Sequence, residues 1–133
     1  MSLEIGREES ISYKVKSSDL ASNLGISDED DFPEVFATAR LTALMEAASA
    51  KILIPLYKQG EFSVGVEVNI KHLAPTLEGD IVKATAKFEG MEGKLYKFSI
   101  QAYDSAGKVG EATHTRAIVS KDRLMSGANR RIS

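Results

Sequence analysis

Residues 32–53 read FPEVFATARLTALMEAASAKIL, and the fold turns on how this stretch is read. Placed at about 100° per residue, Leu41, Met45, Ala48 and Ile52 fall in one sector with Leu44 beside it. Ala39, Ala43, Ala47 and Ala50 form a second face of small side chains, where another backbone can approach closely. The pattern predicts one long helix from about Glu34 to Leu56, with Pro55 marking its end. So little of this helix is polar that protein is expected on most of its sides.

The sequence on either side supplies that covering. Upstream, SISYKVK alternates Ile11, Tyr13 and Val15 with Ser10, Ser12 and Lys14, which is strand periodicity. The polar, acidic SSDLASNLGISDEDD that follows reads as a loop or a short irregular helix. Downstream, four more strands are expected. FSVGVEVNIKH places Val64, Val66, Val68 and Ile70 on one face. IVKATAKFE places Val82, Ala84, Ala86 and Phe88 together, and KLYKFSIQAYD aligns Tyr96, Phe98, Ile100 and Ala102. KVGEATHTRAIVS closes the set. Short connections between alternating strands imply antiparallel pairing. The expected class is therefore α+β: an antiparallel five-stranded sheet wrapped around one long helix. Residues 1–133 are expected to form a single domain, with 1–7 and 121–133 as loosely ordered ends.

Composition narrows the function classes. The chain has 133 residues, 43% apolar and 27% charged, as expected of a folded domain rather than a disordered one. Its formal net charge is −2, and no broad basic stripe is available for a nucleic-acid backbone. The absence of cysteine excludes disulfides, thiolate catalysis and cysteine-ligated zinc. Two histidines among scattered carboxylates make no metal motif, so no metal is expected. The opening MSLEIGREES lacks the apolar core of a signal peptide, and no stretch reads as a membrane span. A cytoplasmic protein is expected.

Glu46 stands out against the apolar helix. It shares a polar sector with Thr38, Thr42 and Ser49, away from Arg40 and Lys51, and position 50 is alanine. No helical salt-bridge partner is therefore evident. Two readings remain open: a solvent-exposed side chain, or a partly buried carboxylate available as base or nucleophile. Thr38 has the same ambiguity. It can simply solvate the first turn, or it can join the free N–H groups and helix dipole in stabilising developing negative charge. Eight residues separate it from Glu46, about 12 Å along the axis. The two cannot hydrogen-bond within one helix, so joint action needs an extended substrate or facing subunits.

The stretches FPEVFAT, LMEAA, SVGVEVNIKHLAPT and GEATHTRAIV, in this order from Phe32 to about Val119, resemble the fluoroacetyl-CoA thioesterase group of the hotdog-fold superfamily. The resemblance implies hydrolysis of an acyl-CoA thioester at a dimer interface, in a homodimer or dimer of dimers. CoA would be part of the substrate and product, with no bound cofactor. The resemblance carries the group's helix-start Thr, its Glu and its strand-end His onto Thr38, Glu46 and His72, as catalytic residues. It implies substrate-binding roles for Gly65, Phe32 and Arg116. Phe32 matches an aromatic that gates the acyl pocket. SDEDD offers no second lid aromatic, so selectivity for fluoroacetyl is not carried over. Within the final motif Thr113, His114 and Arg116 match, while Ala112 and Thr115 depart. Glu46 would attack the carbonyl or activate water, and His72 would move protons or orient the water or Thr38.

The residues read by themselves allow blander roles. His72 suits a surface or structural position, Gly65 a bulge, and Phe32 a staple for the helix entry. His114 reads first as a structural hydrogen-bonding residue and second as a site residue. Arg123, Arg130 and Arg131, with Lys121, are candidates for CoA phosphate contacts, although a solvated tail is the favoured reading. Two rivals remain. One is a non-catalytic acyl-CoA or ligand-binding module of the same fold. The other is a hydratase or dehydratase, whose close Asp–His motif is not seen.

Overall fold

The computed structural model describes residues 3–133. The expectation for residues 1 and 2 lies outside the described residues. Five strands, β1 (Glu8–Lys14), β2 (Glu61–His72), β3 (Ile81–Glu92), β4 (Leu95–Asp104) and β5 (Gly107–Ser120), form one antiparallel sheet in the order β1-β3-β4-β5-β2. The long helix α1 (Thr38–Leu53) contacts all five strands. The α+β class, the five-stranded sheet and the wrapped central helix are those of the hotdog fold.

The packing follows the helix sectors read above. Leu41, Met45, Ala48 and Ile52 are all buried, with Leu44 beside them. They meet Val82, Ala84, Ala86 and Phe88 from β3, and Phe98, Ile100 and Ala102 from β4. Small residues at 84, 86 and 102 let α1 lie close against the sheet, in keeping with the dense packing of protein interiors. The small-residue face of α1 is different: Ala39, Ala43 and Ala47 are exposed in the single chain.

Three expectations need correction. The helix starts at Thr38, not Glu34. Residues 33–37 are held outside it by tertiary bonds: Ala21 N–H donates to the Val35 carbonyl, Phe36 N–H to the Thr76 carbonyl, and Ala37 N–H to the Asp19 carbonyl. With Phe36 fully buried, these contacts outweigh local helix propensity. At the other end Pro55 turns the chain into a short 3-10 segment, Ile54–Leu56.

Second, residues 121–133 are not a loose end. Lys121–Arg131 form a second helix, α2, whose first turn is capped by the Ser120 hydroxyl accepting from Arg123 N–H. Third, Val64, Val66, Val68 and Ile70 do not share a face. The register of β2 against β5 shifts between Gly65 and Glu67, so Val66 is an extra residue. Gly65 then lies opposite Arg116, and Val68 and Ile70 lie opposite His114 and Ala112, all on the helix-facing side. Val64, opposite Ala117, falls on the other side.

One edge of the sheet is β2 itself. Its Val66 and Val68 are 54% and 40% exposed. A long, apolar, unprotected edge strand is a ready surface for a second chain.

Candidate active site

The predicted residues fall into two groups near opposite ends of β2. The first group lines a cavity of about 550 Å³ bounded by apolar side chains, including Leu24, Phe32, Val35 and Leu73. Thr38 and His72 face this cavity. The Thr38 Oγ1 lies 2.8 Å from His72 Nδ1. Burial pushes the His72 imidazole below its ordinary value, an effect the nearby Ala74 backbone partly offsets. His72 is thus neutral near pH 7. In the tautomer with the proton on Nδ1, the ring donates to Thr38 Oγ1 and fixes its position, which leaves the hydroxyl hydrogen free to donate to a group in the cavity. The other ring nitrogen, Nε2, is buried and has no partner among the described residues. Thr38 is the first residue of α1 and Ala37 provides no side-chain cap. The Thr38 and Ala39 N–H groups have no intrahelical partner, the Arg40 N–H being the first to close back, on the Ala37 carbonyl, and Ala37, Thr38 and Ala39 all border the cavity. Phe32 is 48% exposed at its rim.

The second group surrounds Glu46. The side chain is 41% exposed, and its Oε1 accepts from Arg116 Nη1 at 2.8 Å. The carboxylate was expected to have no partner within the helix. Its partner comes instead from β5, 70 positions along the chain. Arg116 is nearly buried and its donors are committed inside the chain. Its Nε donates to the Ser63 hydroxyl at 2.9 Å and Nη2 to the Ser63 carbonyl at 3.0 Å.

His114 completes the cluster. Its Nδ1 lies 2.7 Å from the Glu67 carbonyl oxygen. A carbonyl only accepts, so Nδ1 carries the proton. Burial, the largest influence on this ring, pushes His114 below its ordinary value, and the neutral ring then presents a lone pair at Nε2. That lone pair accepts from Arg116 Nη1 at 3.1 Å. His114 thus orients Arg116, and Arg116 orients Glu46. Arg116 holds Oε1; Oε2 has no hydrogen-bond partner among the described residues and is free to engage water or substrate.

Gly65 explains why the cluster fits. A Cβ built there would lie 2.5 Å from Glu46 Oε1 and 3.2 Å from His114 Cε1. The bulge reading of this glycine is realised, and the group that lies against its bare Cα is the Glu46 carboxylate. Gly65→Ala is expected to push that carboxylate out of register while the fold persists, because the clash is with the end of a flexible side chain. A misplacement of this size lowers kcat by about 10²-fold. Steady-state rates together with a thermal melt check this; wild-type kcat in the folded variant would contradict it.

Ser63 was not singled out from the sequence, and neither was the Arg116–Glu46 pair. Both depend on the β2–β5 register. Among the described residues, no group of three or more His, Cys, Asp or Glu side chains is placed to hold a metal. No described helix is long and apolar enough to cross a membrane.

One long helix wrapped by a five-stranded antiparallel sheet, with a Thr–His pair at an apolar cavity, fits a hotdog thioesterase. Comparison with known proteins makes the assignment narrower. The fluoroacetyl-CoA-specific thioesterase family, FlK, matches residues 15–122, and the chain belongs to this family. It is similar to the fluoroacetyl-CoA thioesterase of Streptantibioticus cattleyicolor, with 34% identity over 94 residues, 71% of this chain and 68% of that protein. A crystal structure of a mutant fluoroacetyl-CoA-specific thioesterase superposes with a TM-score of 0.92 at 26% identity, covering 98% of both chains. A mutant in complex with fluoroacetate and CoA gives a TM-score of 0.84 at 28% identity, covering 91% of this chain and 98% of that one. The chain is accordingly an acyl-CoA thioester hydrolase.

Proposed function

We propose that hydrolysis takes place in a site shared by two copies of the chain, with Thr38 and His72 from one and Glu46 from the other. The observation that carries this reading is the separation of the two groups along β2. Thr38 and Glu46 stand about 12 Å apart along α1, and their neighbours on β2, His72 and Gly65, are seven positions apart. No reacting carbonyl bridges that span within one subunit. If two β2 edges pair antiparallel about an axis near Val68, His72 falls opposite Val64 of the partner subunit, next to Gly65 of the partner subunit. The exposed valines of β2 and the exposed alanines of α1 support such an interface, and two dimers associating further is compatible with it.

In this arrangement the acyl group enters the apolar cavity past Phe32. The carbonyl oxygen sits at the start of α1, where the first-turn N–H groups and the Thr38 hydroxyl stabilise the developing oxyanion. Glu46 removes a proton from water as water attacks the carbonyl carbon, or attacks that carbon itself to give an anhydride that water then opens. The C–S bond breaks, and CoA leaves as the thiol after taking up a proton. His72 holds Thr38 in place and relays a proton. Arg116, with His114 behind it, acts as a positioning residue for Glu46. CoA enters as substrate and leaves as product, without a bound cofactor, and the cysteine-free chain suits a cytoplasmic setting.

The test is release of free thiol from a panel of short, branched and aromatic acyl-CoAs. Turnover of at least one group well above background is expected. Tight CoA binding with no turnover of any member would favour a ligand-binding module instead.

A further inference from the structure

The acyl cavity lacks a feature the substrate requires. CoA carries a diphosphate and a ribose phosphate, yet no lysine or arginine lines the cavity. The chain as a whole is net negative. Of its six arginines, Arg7 pairs with Glu9, Arg40 with the buried Asp19, and Arg116 with Glu46. The other three, Arg123, Arg130 and Arg131, all lie on α2, are exposed, and form no ion pair among the described residues.

From this distribution we infer that α2 is the phosphate-binding element for CoA, with Arg123 and Arg130 as its anchors, in the subunit that supplies Glu46. The inference rests on the shared site proposed above. Arg123 and Arg130 are seven residues apart, so they lie on one face of α2 separated by about 10 Å. Ser126 lies between them, and the three border a shallow groove of about 400 Å³ with Asp122. Gly127, also between them, adds no bulk to that face. Two guanidinium groups at this spacing suit two separate phosphate centres, which they can bind in bidentate fashion.

The position of α2 fits the reach of the substrate. Lys121 N–H donates to the Gly60 carbonyl, so α2 begins where β2 begins. Gly65, which marks Glu46, is four residues along from Glu61, about 13 Å at strand rise. The pantetheine arm contains about as many backbone bonds as four peptide units, or about 14 Å extended. From the His72 end of β2 in the same subunit the distance is more than twice that. The arm of a thioester held against Glu46 therefore matches the distance to the start of α2 in that subunit, and that of one held against His72 alone does not.

The experiment compares the acyl-CoA turned over best with the same acyl group on N-acetylcysteamine, which lacks every phosphate. In R123Q/R130Q, KM for the acyl-CoA is expected to rise about tenfold, with kcat unchanged and with kcat/KM for the truncated thioester unchanged. A control double variant on β3, K83Q/K87Q, removes the same charge from an exposed strand face and is expected to leave both substrates unaffected. The inference is overturned if R123Q/R130Q leaves KM for the acyl-CoA unchanged, if both thioesters lose equally, or if the β3 control matches its effect. Calorimetric titration with CoA alone separates this from the catalytic reading. CoA binding that weakens in R123Q/R130Q, in a protein that hydrolyses nothing, keeps the phosphate site and sinks the assignment of catalysis. CoA binding indifferent to both arginines removes the phosphate site whatever the turnover.

Discussion

Glu46→Gln is expected to lower kcat by about 10²–10⁴-fold, some 3–5 kcal/mol of transition-state stabilisation, with little change in melting temperature. The amide keeps the size of the side chain, and its carbonyl oxygen still accepts from Arg116 Nη1, the contact now made at 2.8 Å. What the variant loses is the ability of the second oxygen to take a proton or to attack carbon. In wild type that oxygen has no hydrogen-bond partner among the described residues, and the side chain is 41% exposed. Steady-state thiol release measures the effect. A folded Glu46→Gln protein with wild-type kcat would remove Glu46 from the chemistry and leave it as a structural partner of Arg116.

The second large effect is expected at Thr38. Thr38→Ala removes the hydroxyl that faces His72 Nδ1 at 2.8 Å and leaves the helix-start N–H groups in place. If the hydroxyl is an oxyanion donor, kcat falls by about 10²–10³-fold, and Thr38→Ser restores most of it. If the backbone N–H groups alone carry the oxyanion, Thr38→Ala stays close to wild type. The Ala-against-Ser comparison therefore reads the hydroxyl separately from helix propensity, because both substitutions keep the first turn of α1 intact.

Much of the fold was legible because its signals are local. The apolar sector of α1 and the period-two alternation of β3 and β4 predict the side chains that are buried, from Leu41 through Phe88 to Ile100. The start of α1 was not legible, because the extended residues 33–37 are held by Asp19, Ala21 and Thr76, partners distant in the chain. The order of α2 was obscured by its polar composition; the Ser120 cap and the packing against β5 come from the end of the sheet.

At the site, a helical wheel puts Glu46 in a polar sector but names only neighbours within the helix. Its partner Arg116, the supporting His114, and the space at Gly65 arise from a single extra residue in β2. Simple alternation assigns that strand the wrong face beyond the bulge. The 12 Å between Thr38 and Glu46 along α1, by contrast, is a matter of counting. It already required a second subunit or an extended substrate, and the two separated clusters favour the subunit.

Complementation between inactive variants tests that central claim most directly. His72→Ala and Glu46→Gln are purified separately, then mixed, dissociated and allowed to reassociate. If Thr38 and His72 act with Glu46 of the partner subunit, half of the dimers are mixed and each has one intact site, restoring about a quarter of wild-type activity. If all three residues act within one chain, no mixed dimer contains an intact site. Activity that stays at the level of the separate variants, with exchange of subunits verified, would contradict the shared site.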